Sequence, residues 1–310
     1  MSKYYCLIAG LPTVSLYDAK AVWTVADFKA ELRDYLTDSD RRLLNWFFLK
    51  YDNANLLAYL RRTAGYRFDT RAALSEDDIK EICTLLHDED RTPENIEVPA
   101  YLARFVREYY ARFDDEENDE NQLLEDRLSA LYYNEATHCG NAFMSAWFEL
   151  NLNVGNIFAA INCRKYGLDK SRFIIGDSET AAYLRQSSSR DFSGLIVTAG
   201  ADRTQGASGF SNPLAEAPDV LAQIIQIAEE QDVIERERSL DAMRWEWLER
   251  NTFFKAFDIE SVAAYIMRLE IIERWTSLDR TRGETQFRSL VGDMKRESSI
   301  ILDEFKENHK

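Results

Sequence analysis

Proline stands at only five positions of this 310-residue chain, Pro12, Pro93, Pro99, Pro213 and Pro218. Three long stretches, 13–92, 100–212 and 219–310, contain none. Proline is excluded from helix interiors because its ring removes an N–H and clashes with the preceding turn, so its absence leaves long helices open. A sandwich or barrel of short strands needs turn residues about every 8–12 positions, and glycine adds only 12 more candidates. With 45% apolar residues, including 17 Phe, 15 Tyr and 6 Trp, there is ample material for a buried core. The expectation is a mainly α protein. At about 150 residues per domain, the length suits one large domain or two to three small ones.

Local signals place the helices. Thr24 followed by Asp27 reads as an N-cap with an acid in the first turn, opening a segment to about Leu36. A second start at Asp38–Asp40 carries Leu43, Leu44, Phe47, Leu56 and Leu60 toward Thr63, with Gly65 as the expected left-handed terminator. Ser75 and Asp78 cap a helix whose Ile79, Ile82, Cys83 and Leu86 share one face. Pro99 suits the first turn of the next, whose stripe is Leu102, Phe105, Val106, Tyr109 and Phe113. Pattern resumes through Leu124, Leu128, Leu131 and Tyr132, and again over Gly140–Tyr166, stopped by Gly167. Residues 186–213 are rich in Ser and Gly and read as the longest irregular segment. Further helices are expected from Pro218, over Ser239–Phe254, Ile259–Ser277 and Gln286–Phe305.

The chain resembles itself at an offset of 101 residues. The first copy is Trp46-Phe47-x-Leu49-x-Tyr51-Asp52-x-x-Asn55-Leu56, and the second is Trp147-Phe148-x-Leu150-x-Leu152-Asn153-x-x-Asn156-Ile157. Residues three apart share a helix face, so Asp52 with Asn55 and Asn153 with Asn156 form polar pairs beside an aromatic anchor. Such a pair is expected to hydrogen-bond across to a neighbouring helix and fix its register. A third segment with Tyr265, Leu269 and Ile272 keeps the period without the asparagine. Two to three related helical bundles are therefore expected, over 1–115, 116–230 and 231–310.

The net charge is −16. Fifteen of those units lie in two runs: nine acids against Lys80 and Arg91 over 76–97, and eight unopposed acids over 114–126. This balance argues against a nucleic-acid partner, because phosphate binding draws its affinity from Lys and Arg. The acidic runs read as solvated surface or as a dock for a basic partner. Cys6, Cys83, Cys139 and Cys163 form no CxxC, which suits a reducing cytosol and neither a zinc site nor a disulfide framework. No apolar run approaches the ~18 residues that span a bilayer. Tyr4–Leu11 lacks a small-x-small cleavage pattern and reads as a buried element and not a targeting signal.

Reactive chemistry is sparse. His87 sits among acids at a helix end without the i, i+4 partner of a helical metal site. His138 and Cys139 are adjacent and diverge, so they do not form a nucleophile and base. The glycines of Gly200–Gly206 miss the phosphate-loop spacing. No catalytic residue, cofactor or metal ligand is assigned.

The segment Asn156-Ile-Phe-Ala-Ala-Ile-Asn-Cys-Arg-Lys-Tyr-Gly-Leu168 resembles the recurrent Asn-to-Gly-Leu helix of the C-type subunits (d-type in eukaryotes) of the V/A-type rotary ATPases. Ser239–Asp293, with Asp241-Ala-Met and Ser261-Val-Ala-Ala-Tyr265 through Glu270 and Glu273, resembles the last bundle of that family. Phe158 stands where the family carries arginine, and Arg274 or Trp275 displaces the third asparagine, as in a divergent member. The resemblance implies three related bundles forming a funnel or cup. It further implies a non-catalytic, cytoplasmic central-stalk subunit, peripheral at the inner face of the membrane through its complex. The implied partners are the shaft subunits and the membrane proteolipid ring, in ion-coupled ATP synthesis or hydrolysis. The residues alone also admit a helical protein-binding scaffold unrelated to the ATPase, or an enzyme of unknown type.

Overall fold

Side-chain caps decide where the helices begin. In the computed structural model, which describes residues 4–18, 22–114, 124–187, 218–255 and 257–277, the oxygen of Thr24 accepts the Asp27 N–H at 3.0 Å and opens α2 (Val25–Glu31). Before it lies the short α1 (Tyr5–Ala9), where Tyr4 and Leu7 are buried while Tyr5 and Cys6 face outward. Thr37 caps α3 (Asp38–Leu60), and Ser75 with Asp78 forms a reciprocal capping box on α4 (Glu76–Asp88). There follow α5 (Ala100–Asp114), α6 (Leu124–Ala136), α7 (Ala142–Tyr166), α8 (Glu179–Gln186), α9 (Pro218–Glu229), α10 (Val233–Thr252) and α11 (Ile259–Ser277). Two 3₁₀ turns, Leu32–Asp34 and Lys170–Arg172, complete the order, and no strand occurs among the described residues. The fold is mainly α.

Periodicity selects the buried faces. On α4 the expected Ile79, Ile82, Cys83 and Leu86 are all buried, and each large apolar side chain so placed contributes about 1.5–3 kcal/mol. One continuous apolar core runs from Tyr4 to Ile272 and includes side chains from all three expected bundle segments. The four cysteines are free. No helix among the described residues is long and apolar enough to cross a membrane.

Three differences from the expected elements have physical causes. First, α3 stops at Leu60: Arg62 (φ 51°) is the left-handed residue that closes it, and Gly65, also left-handed (φ 75°), falls in the turn beyond. The Thr63 N–H returns to the Ala58 carbonyl at 3.0 Å and closes the helix locally, while the Tyr109 hydroxyl, from α5, donates to the Leu60 carbonyl at 3.0 Å. Second, α10 begins at Val233, because the Asp232 carboxylate accepts the N–H groups of Ile234 and Glu235 at 2.8 and 3.2 Å. Third, α8 was not expected; Ser178 caps it by accepting the Ala181 N–H at 3.1 Å. The irregular 186–213 segment, apart from its first two residues, lies outside the described residues. So do the expected Gln286–Phe305 helix and most of the 114–126 acidic run.

Contacts fix the relative directions. Arg61 meets Glu125 at one end of α3, while the Tyr132 hydroxyl donates to the Trp46 carbonyl at 2.8 Å further back, so α6 runs antiparallel to α3. The turn after α6 returns the chain as α7, with Tyr132 and Phe148 edge to face at 5.9 Å. Along α10, Arg236 faces Phe158, Arg244 bonds Asn151 and Trp247 stacks on Phe143, so α10 opposes α7. Arg274 of α11 reaches back to Glu237 at 3.2 Å, so α11 opposes α10. Consequently α3, α7 and α11 run the same way.

Candidate functional site

The two copies of the repeat lie on α3 and α7, and both asparagines make the same double bond to backbone. Asn55 Nδ2 donates to the Asp69 carbonyl at 3.1 Å, and its Oδ1 accepts the Asp69 N–H at 2.9 Å. Asn156 Nδ2 donates to the Ile175 carbonyl at 2.9 Å, and its Oδ1 accepts the Ile175 N–H at 2.9 Å. The partners are thus the segments immediately downstream of each helix, not a neighbouring helix as expected. A buried amide satisfied on both ends pins the returning chain to the helix that precedes it. In the first copy the Tyr66 hydroxyl adds a third bond, to Asn55 Oδ1 at 2.8 Å.

The residues three positions earlier have diverged. Asp52 is fully buried and its two oxygens accept the N–H groups of Ala73 and Leu74, each at 2.8 Å, just before the α4 cap. Burial pushes the Asp52 carboxyl up to about 6, against the lowering effect of those two N–H groups and of Lys29. Asn153 is also fully buried, yet neither its Oδ1 nor its Nδ2 has a partner.

The Asp52 carboxyl binds its proton more tightly in the folded chain than its ordinary value of 3.8 allows in the unfolded one. Its contribution to stability is therefore full below 3.8 and lost as pH rises through about 6. A carbon-detected NMR titration is expected to show this carboxyl with a midpoint near 6. Stability in urea should gain on the order of 3 kcal/mol from this group between pH 7 and pH 4. Asp52→Asn should abolish both signals; an ordinary carboxyl midpoint would refute the assignment.

The aromatic anchors occupy different settings. Phe47 is buried edge-on to Phe48, and half-buried Trp46 stacks on Tyr101 with centroids 6.3 Å apart. Trp147 and Phe148 are both buried, the former tilted against Trp247 at 5.6 Å. Gly167 takes the left-handed conformation (φ 69°) at the end of α7, where the Leu168 N–H returns to the Cys163 carbonyl at 2.8 Å. There a Cβ would be strained, so glycine suits the position.

Between the parallel helices lies a polar junction that the repeat does not announce. Lys50 of α3 pairs with Glu270 of α11, whose Oε1 also accepts the Tyr51 hydroxyl at 2.6 Å. Lys50 stands 4.0 Å over the Phe47 ring, and Arg71 stands 4.2 Å over the Tyr51 ring while bonding Asp69 at 2.6 Å. Burial pushes the Lys50 ammonium down, with Glu270 opposing. Burial alone would raise the Glu270 carboxyl, but Lys50, Tyr51 and Arg71 together hold it below the usual carboxylate range. The Lys50 and Glu270 side chains nevertheless keep 34% and 25% of their exposure. Glu273, one turn further on α11, accepts the Val25 N–H at 3.0 Å at the start of α2.

A second buried charge joins α10 to α11. The Asp241 carboxylate accepts from Arg244 at 3.1 Å, from the Trp275 indole N–H at 2.8 Å and from Arg274. Asp241 was legible as one acid on a stripe with Trp245 and Leu248, at i, i+4 and i+7. Lys50 carried no comparable signal, and Glu270 entered only as one residue of the segment that carries the resemblance. Of the remaining candidates, His87 bonds its neighbour Asp88 at 2.6 Å, and His138 sits 3.0 Å from the Asn134 carbonyl.

Residues 1–195 and 203–298 match the family described as Protein of unknown function (DUF2764). The chain belongs to that family. No curated protein and no solved structure matches it. Within this member of the family, the duplicated asparagine clamp ties α3 and α7 to their downstream segments, and the Lys50–Tyr51–Glu270 junction ties α3 to α11.

Proposed function

We propose that this chain is a non-catalytic central-stalk subunit of a V/A-type rotary ATPase, joining the shaft to the membrane proteolipid ring. The observation that carries the reading is the recurrence of one clamp in both copies. Asn156, the residue on which the resemblance to that family rests, grips its downstream segment as Asn55 does 101 positions earlier. A part that passes torque needs segments that do not slip against one another, and buried, doubly satisfied amides supply that resistance. In this reading the molecule sits at the cytoplasmic face of the membrane through its complex, and α4, with Glu76, Asp77 and Glu81 exposed, steers a basic neighbour.

Affinity capture of the full chain from native membranes, followed by mass spectrometry, is expected to recover shaft and ring subunits together. Replacing Glu76, Asp77 and Glu81 by Gln and Asn should reduce that recovery several-fold, and more at low salt than at high salt. Recovery without any ATPase subunit would end the reading. One observation favours the alternative of a protein-binding scaffold unrelated to the ATPase. A groove of about 900 Å³ beside the end of α3 is lined by Tyr59, Arg62, Tyr66, Tyr109 and Tyr110. On that alternative, a single unrelated protein is recovered instead, and Tyr59→Ala with Tyr66→Ala releases it.

A further inference from the structure

The end of α7 carries a local excess of cations on an acidic chain. Over residues 164–173 four cations, Arg164, Lys165, Lys170 and Arg172, face one acid, Asp169, in a protein of net charge −16. The same ten residues expose three large apolar side chains, Tyr166 at 61%, Leu168 at 41% and Phe173 at 37%. Isolated exposed apolar residues need no explanation, but three together among cations do.

The segment is held firmly, so this exposure is not a frayed helix end. The Leu168 N–H closes on the Cys163 carbonyl at 2.8 Å, and the Asp169 carboxylate accepts the Ser171 N–H at 2.9 Å. Lys170 bonds the Ser187 carbonyl. Beyond the patch, Asn156 grips Ile175, and Arg185 donates to the carbonyls of Ile174 and Gly176 at 2.9 and 2.6 Å. Tyr166 and Phe173 therefore stand out on a rigid support, with the Lys165 ammonium 5.6 Å from the centre of the Tyr166 ring.

We propose that this tip docks on an anionic lipid surface, Tyr166, Leu168 and Phe173 entering the headgroup boundary while Lys165 and Arg172 meet the lipid charge. Amphipathic rings flanked by Lys and Arg are the combination that a membrane interface selects. Protruding apolar side chains fit a deformable headgroup layer, whereas an acidic peptide calls for a groove. The acidic surfaces elsewhere do not prevent this, because charges further away than the Debye length, about 8 Å in physiological salt, are screened. The other end of α10 supplies a contrast: Phe253 and Phe254 are more exposed, but residues 251–260 hold one cation, Lys255, against two acids, Asp258 and Glu260. Since α10 opposes α7, those phenylalanines lie at the opposite end of the molecule from the tip. The inference rests on this surface alone and does not require the stalk reading.

Vesicle flotation of the full chain tests it, comparing phosphatidylcholine alone with phosphatidylcholine containing about a third phosphatidylglycerol. Binding to the anionic vesicles only, weakened by salt, is expected. Lys165→Glu with Arg172→Glu should reduce it at least 25-fold, at about fivefold or more per cation. Tyr166→Ser with Phe173→Ser should reduce it about tenfold or more, and Phe253→Ser with Phe254→Ser should leave it unchanged. All are surface changes, and circular dichroism confirms that each variant is folded. Absence of binding, equal binding to both vesicles, or binding that only the Phe253/Phe254 variant loses would overturn the proposal. So would capture of a poly-glutamate peptide by the tip without vesicle binding, which would assign the surface to an acidic protein.

Discussion

Asp241→Ala is expected to lower the unfolding free energy by about 2–3 kcal/mol, the upper part of the range for leaving a buried donor without its acceptor. The substitution leaves the Trp275 indole N–H and one N–H group each of Arg244 and Arg274 without their acceptor inside the α10–α11 contact. The arginines are only partly buried and regain some solvation, whereas the carboxylate itself is 3% exposed. Most of the loss therefore comes from the Trp275 indole N–H, which is left without its acceptor at the helix interface. Glu237→Gln, which removes only the outer partner of Arg274, is expected to cost less than about 1 kcal/mol, as exposed pairs do. Urea denaturation of both variants measures the difference. A loss below about 1 kcal/mol for Asp241→Ala would show that the pair adds little to holding α10 against α11.

The second large effect comes from two asparagines one helical turn apart that are expected to behave in opposite ways. Asn156→Ala breaks both bonds of the clamp and leaves the Ile175 N–H and carbonyl without their partner, at a cost of about 2–4 kcal/mol. Asn55→Ala should behave alike, since its clamp on Asp69 has the same form. Asn153→Leu is expected to be neutral or to raise stability by about 1–2 kcal/mol, because the amide is fully buried and returns no hydrogen bond for its lost hydration. Thermal and urea unfolding of the three variants decide the matter. A loss of about 2 kcal/mol or more at Asn153 would mean that an internal water bridges its amide and would remove the contrast.

That contrast bears on how the two copies came to differ. In the first, Asp52 and Asn55 together hold residues 69–74 against α3, and Ser75 opens α4 immediately afterwards. In the second, the segment after α7 is longer, its clamp falls 19 residues after Asn156 instead of 14 after Asn55, and Ser178 opens α8. The asparagine bond is present at both lengths, while the bond three residues earlier is present only in the first. After α7 the returning chain is held by Asn156, by Arg185 on the Ile174 and Gly176 carbonyls and by Asn134 on Asp177, and Asn153 takes no part.

Much of the helical layout was legible without the fold. The bounds of α11, Ile259–Ser277, and the caps at Thr24 and Ser75 were read from local pattern, and so was the buried face of α4. Each depends on residues within one or two turns, where spacing alone states which side chains meet. The repeat was legible for the same reason, since a Trp-Phe pair with an asparagine two to three turns later is a local string. The end of α3 was not: the left-handed closing residue is Arg62 in place of Gly65, and the Leu60 carbonyl is bonded by Tyr109, 49 residues away.

The sequence by itself determined that this chain is helical, which faces of the helices are apolar, and that two of them are copies. Only the tertiary structure decided what the polar residues on those faces touch. The clamp partners lie 14 and 19 residues downstream, and the Tyr51–Glu270 bond spans 219 residues. The physical reason is that burial is encoded by period, which any short window of sequence contains. A hydrogen bond between distant residues depends on how whole helices approach, and no spacing in the chain records that.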